Sequence, residues 1–284
     1  MARKTIDEGA ALTTIDNAGA LAVFDFGQDA GAGMDSMGAA DQAIPYLSIL
    51  QGLSKAVSDP DHMIDGARPG MIMDSVSKTT WDCDKGPGMV FLPCISSGQV
   101  FTEWEGAKGK GTPVNRLMPD DPIVVEAKRN YSFNELKAPN GNRLEETFYV
   151  SGIILSEDMQ PTGYGVISFK STGIKAYKAS IGEIYKVPGN APLYAFPLRI
   201  KTKSEQRAKG TSFNFHIMPN GYEGAKFLEG IVGCVITPSS ELGKTLYPLA
   251  RQLAGDIASG KANIHTEGEG GGAAASSGSE DEPY

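Results

Sequence analysis

Residues 193–203 read LYAFPLRIKTK and residues 211–217 read TSFNFHI. The first predicts a strand over 193–202, where a period of two sends Arg199, Lys201 and Lys203 to one face. The second alternates again, with Phe213 and Phe215 set against Asn214 and His216. Branched and aromatic residues in alternation suit a pleated, half-buried surface, so the middle of the chain reads as β.

Working outward, short apolar runs between turn residues predict further strands over 71–76, 89–101, 101–105, 122–127, 147–155 and 164–169, with the second of these split at Pro93 and at Ser97-Gly98. Helices flank them. Leu242, Leu246, Leu249, Leu253 and Ile257 recur at helical spacing over 241–259, and Gly260 ends the pattern. Near the start, Asp41 can cap a helix with Pro45 in its first turn and Ile44, Leu47, Leu50, Leu53 and Val57 along one side. A third helix would begin at Ser171 or Thr172 and bring Lys175 and Lys178 close together beside Tyr177. The fold class is therefore α+β, a β-rich central domain with packed helices. It divides into a flexible acidic arm (1–40), one folded domain (41–260) and a tail (261–284) too rich in Gly, Ala and Ser to bury a core.

Charge is distributed unevenly. The formal net charge is -8 and the pI near 5.0, yet residues 164–216 hold nine cations against Glu183 and Glu205, a local balance of +7. Eight of the 23 aromatics lie in the same stretch. Cations interleaved with flat rings suit an unpaired nucleic-acid strand, because cations follow phosphates and unstacked bases find new faces. Lys170, Lys175, Lys178, Arg199, Lys201, Lys203, Arg207 and Lys209 are the candidate phosphate contacts; Tyr177, Tyr194 and Phe196 are the candidate stacking faces. Neutralising about six phosphates would give a slope of log K against log salt of roughly -4. Two auxiliary stretches lie outside the run: the glycine loop 106–111 with Lys108 and Lys110 beside Trp104, and 130–143 with Tyr131, Phe133, Lys137 and Arg143.

The opposite pole is 266–284, with Glu267, Glu269, Glu280, Asp281 and Glu282 and no cation. Such a segment competes with nucleic acid for a positive field. Cys83, Cys94 and Cys234 form no close pair and the three histidines are scattered, so the pattern suggests buried thiols in a reducing compartment and no metal or other cofactor. No apolar run reaches membrane-spanning length, so no membrane contact is expected and the cytoplasm is the expected location.

Two short patterns imitate catalytic motifs. Residues 236–245 (ITPSSELGKT) approach a phosphate-binding loop, but Pro238 stands where the first glycine belongs, which removes both an amide donor and the backbone freedom. Ser75-Val-Ser-Lys78 fits a serine-lysine pattern without its companion motifs. No triad, carboxylate pair or metal cluster emerges, and the expected class is not an enzyme.

The segment 280–284 (EDEPY), behind a Gly/Ser/Ala spacer, resembles the tail of bacterial and phage single-stranded DNA-binding proteins, with tyrosine in place of the usual phenylalanine. Across the body, 44–51 (IPYLSILQ), 68–73 (RPGMIM) and 167–172 (ISFKST) make the chain similar to phage early proteins. Most similar are the single-stranded-DNA-binding RNA polymerase cofactors of Schitoviridae-type podoviruses. That resemblance implies a fold distinct from the five-stranded nucleic-acid barrel, and a protein that holds melted DNA and recruits the phage polymerase or replication partners. Glu280, Asp281, Glu282, Pro283 and Tyr284 would form the partner-binding peptide, and a homo-oligomer is compatible with the reading. The rival readings are an interaction or virion component without DNA binding, and a strand-annealing recombination protein.

Overall fold

The architecture follows from a computed structural model that describes residues 44–106, 111–132, 135–207, 210–222 and 224–262, with only the main chain of Arg207. The arm 1–40 and nearly all of the tail lie outside these residues. The fold is α+β. Strands β4 (Met89–Glu105), β5 (Thr112–Leu117), β6 (Arg143–Leu155), β7 (Pro161–Lys170), β8 (Leu198–Arg207) and β9 (Gly210–Pro219) form a six-stranded antiparallel sheet in the order β7-β6-β4-β8-β9, with β5 also on β4. A second, three-stranded sheet joins β1 (Leu47–Ile49), β2 (Ile72–Asp74) and β3 (Thr80–Trp81).

Strand β4 organises the larger sheet. One edge follows β6 along most of its length, while the other is shared: Met89 to Phe91 pair with β8, and Phe101 to Glu105 pair with β5. The alternation breaks expected at Pro93 and Ser97-Gly98 are register shifts inside one continuous strand, rather than a division into two. Gly152 allows the tight approach of β6 there, since a Cβ would lie 2.3 Å from the Leu92 carbonyl oxygen.

Helices cover the sheet: α1 (Lys55–Ser58), α2 (Pro122–Asn130), α3 (Gly173–Ala179), α4 (Ile181–Ile184), α5 (Phe227–Gly233) and α6 (Glu241–Ala258). The last matches the helix expected at 241–259. Ser240 caps it by accepting from the Gly243 amide, Leu246 and Leu253 are buried, and Gly260 follows at φ +73°. Lys244 and Thr245 of the loop-like motif thus lie in the first turns of an ordinary helix, and Lys244 pairs with Glu241 at 2.5 Å.

Three expected elements differ. Residues 122–127 form helix α2 instead of a strand, because Asp121 caps it through the Ile123 amide and Pro122 fits the first turn. Residues 44–57 begin as strand β1 rather than a helix. Tyr46 bridges Val166, Leu47 to Ile49 pair with β2, and the Leu50 amide reaches the Met71 carbonyl. The strand expected from 193 begins at Leu198, because a 3-10 turn at Leu193–Ala195 and then Pro197 precede it; it then runs on to Arg207.

The main core is built on Phe91, Leu92, Ile153, Ile167, Phe169 and Phe196. A smaller core around Phe101, Leu117, Val124 and Leu144 lies under α2 at the far end of β4. At its margin the buried carboxylate of Glu103 accepts side-chain amides from Asn115, Asn140 and Asn142, each at 2.7 Å, which hold it below the usual carboxylate range. Cys83 and Cys94 are buried and burial pushes each thiol up to about 12, so neither offers a reactive thiolate.

Candidate nucleic-acid interface

The hairpin of β8 and β9 and the helix α3 carry the predicted cations. Their pairing is continuous, Arg199 opposite Met218, Lys201 opposite His216 and Lys203 opposite Asn214. Paired residues of an antiparallel ladder share a face. Lys201, Lys203, His216 and Asn214 therefore stand together, while Ile200, Thr202, Phe215 and Ile217 face the other way. Asn214 then ties the hairpin to α3: its Oδ1 accepts from the Thr172 hydroxyl at 2.8 Å. That bond uses the hydroxyl expected to cap the helix, which has no side-chain cap. Lys175 and Lys178 are exposed on α3, Lys203 is exposed and Lys201 half-buried. Among the described residues none of these four has a carboxylate within 4.0 Å, whereas Arg199, Lys186 and Lys244 each do.

Burial at His216 and the neighbouring Lys203 and Lys201 all disfavour its protonated form, so its pKa is lowered. The lysines thus form the electrostatic character of this face without help from the imidazole near neutral pH.

Three expected site residues are corrected. Arg199 is 9% exposed and grips Glu157 with both terminal nitrogens, at 2.6 and 2.8 Å, while its Nε donates to Asn220 at 3.2 Å and Nη1 to the Pro87 carbonyl at 3.3 Å. It is a buried clasp between the turn after β6 and strand β8. Phe196 is 0% exposed, in the main core. Tyr177 is 7% exposed, stacked on Phe148 at 4.3 Å with its hydroxyl 2.9 Å from Ser96. A ring enclosed in this way has no face for a base. Lys170 is half-buried and holds a partner of its own. Tyr194 is half-buried, set edge-on to Tyr247 at 5.0 Å against α6. The side chain of Arg207, and Lys209 altogether, lie outside the described residues. Tyr164 and Tyr185 of the same stretch are 43% and 66% exposed and are the rings the structure leaves open.

The far end of the sheet gathers a second set of cations against rings. Arg143 lies 5.4 Å from the Trp104 ring centroid and is also paired with Glu145 at 3.2 Å. Arg116 lies over Tyr149 at 4.8 Å and Lys128 over Phe101 at 4.6 Å. Sequence reading had pointed to Trp104 and Arg143 but missed Arg116, whose neighbour in space comes from 33 residues along the chain.

A family model described as Pam3 phage gp34-like protein matches residues 14–263. The chain belongs to this phage family. The match spans every described element, and a phage protein is what the resemblance had implied. No curated protein and no solved structure matches the chain. No helix among the described residues is long and apolar enough to cross a membrane.

Proposed function

We propose that this gp34-like protein binds single-stranded DNA through the face made by α3 and the β8–β9 hairpin, and that the bound complex recruits the phage RNA polymerase or replication partners through the acidic segment. The supporting observation is the set Lys175, Lys178, Lys201 and Lys203, which have no carboxylate partner among the described residues. Cations that neutralise no internal charge are available to phosphates, and their stems need no ordering by the fold. Tyr185 supplies an exposed ring in the same stretch, and base stacking on such a ring contributes about 1–3 kcal/mol. The role proposed is non-enzymatic.

Replacing all four lysines by alanine is expected to weaken binding of a labelled single-stranded oligonucleotide by about a hundredfold or more at low salt while leaving the thermal midpoint unchanged. Four phosphate contacts correspond to a slope of log K against log salt of about -3, and the variant should flatten it. A mobility shift and a salt titration decide this. Unchanged capture by the folded variant, or no shift with single-stranded or duplex DNA by the wild type, would leave the chain an interaction or virion component.

A further inference from the structure

Strand β9 presents an open edge. The Gln51 side chain bonds both main-chain groups of Phe213, donating to its carbonyl and accepting from its amide, each at 2.9 Å. The amide and carbonyl of Phe213 therefore point away from β8. Because the pairing of β8 with β9 has no register shift, the same parity turns the main-chain groups of Phe215 and Ile217 outward as well. Beyond the Gln51 cap, those groups have no partner among the described residues.

The edge borders a cleft of about 270 Å³ closed by Ala176 and Ala179 of α3 and by Phe227 of α5. Phe215 and Ile217 line it together with His216 and Met218, residues of both faces, as a strand seen along its edge must present. Two alanines on the facing helix leave the space that larger side chains would fill. An exposed edge beside a helix is the geometry that accepts an extended peptide as an additional strand. Lys175 lies on the facing helix one turn before Ala179, and Lys201 and Lys203 lie on β8, one strand in from the edge.

We propose that this cleft takes the chain's own acidic segment 279–284 (SEDEPY) as an added strand on the open edge of β9. In an extended segment Glu280 and Glu282 point to one side and Asp281 to the other, so the two glutamates can stand over the face that carries Lys201 and Lys203. Pro283 has no amide to donate to a ladder, so the pairing ends before it and the Tyr284 ring is released from the alternation to meet the apolar floor of Phe215, Ile217 and Phe227. Reach is ample. The residues between Ala262 and Glu280 extend up to about 60 Å, and a folded body of this size has a radius of gyration of about 17 Å. The docking stands on the edge, the cleft and the charges, and does not require that the neighbouring lysines bind DNA.

The test is amide hydrogen exchange on the full chain without nucleic acid. The outward amides of Phe215 and Ile217 are expected to exchange about tenfold faster or more in a triple variant, Glu280→Gln with Asp281→Asn and Glu282→Gln, than in the wild type. Ala179→Glu, an exposed position whose new charge repels the segment, should have the same effect. His216 and Met218, whose amides face β8, serve as internal references and should keep their rates. Zero-length carbodiimide coupling should join the carboxylates of 280–282 to Lys175, Lys201 or Lys203. Equal rates in all three proteins would overturn the docking, as would protection that disappears on dilution, which would assign the segment to a second copy. Loss of oligonucleotide capture in the four-lysine alanine variant bears on the DNA reading alone.

Discussion

Arg199 and Lys203 project from the same face of one strand, four residues apart, and live in different chemical worlds. At the first, the turn after β6 folds over the strand and delivers Glu157, so the guanidinium is enclosed and bonded at every nitrogen. At the second, β8 has passed beyond β4, which pairs with it only from Leu198 to Ile200, and the ammonium meets solvent. Alternation sets which way a side chain points; the neighbours above the strand set whether it serves the fold or a partner.

The largest break of that comparison is at the enclosed end. Phe196→Ala, which empties a fully buried site in the main core, should cost about 3–5 kcal/mol of unfolding free energy in a denaturant titration. Oligonucleotide affinity per folded molecule should be unchanged, and a selective loss of affinity in a fully folded variant would restore Phe196 as a stacking face.

The intermediate effect is at the clasp. Arg199→Met should cost about 1–3 kcal/mol by removing charge-assisted bonds. The Arg199 hydrogen bonds hold the Glu157 carboxyl below its ordinary value of 4.5, so the clasp contributes fully above that pH and is lost as pH falls through the lowered value. The wild type should therefore lose stability on acidification more steeply than Arg199→Met. Parallel pH profiles would show that the clasp contributes no linkage.

The smallest is at the open end. Lys203→Ala should leave stability within about 0.5 kcal/mol. One phosphate contact fewer should reduce the salt slope of single-strand binding by about 0.7. A measurable drop in stability would mean that Lys203 is engaged by the fold.

How far the chain could be read in advance depended on how local each signal was. The helix α6 was legible because its leucines and Gly260 all lie within one segment. Helix α2 carried an equally local signal in Asp121-Pro122, but Ile123, Val124 and Val125 are β-formers and outweigh it in a pattern count. Residues 44–57 misled for the opposite reason. Ile44, Leu47 and Leu50 are all buried, at 5%, 1% and 2% exposure, yet in two places, the first two in the main core and Leu50 against Ala56 and Met71, and Leu53, which a helix would have buried with them, is 93% exposed. The candidate site residues divided in the same manner. The lysines of α3 and β8 were legible because long cations seldom bury, whereas Arg199 needed Glu157 from a distant turn before its role could be known.

The amino-acid sequence alone determined an α+β protein with a β centre, a basic stretch within an acidic chain, and alternate cations on one strand, since period and charge are properties of neighbours along the chain. Tertiary structure decided which of those cations remain open, which rings became core, and that the outer edge of β9 beyond the Gln51 cap has no strand partner among the described residues and lies beside two alanines. Each of those outcomes depends on what a remote segment places above a side chain, and burial is settled by such contacts rather than by spacing.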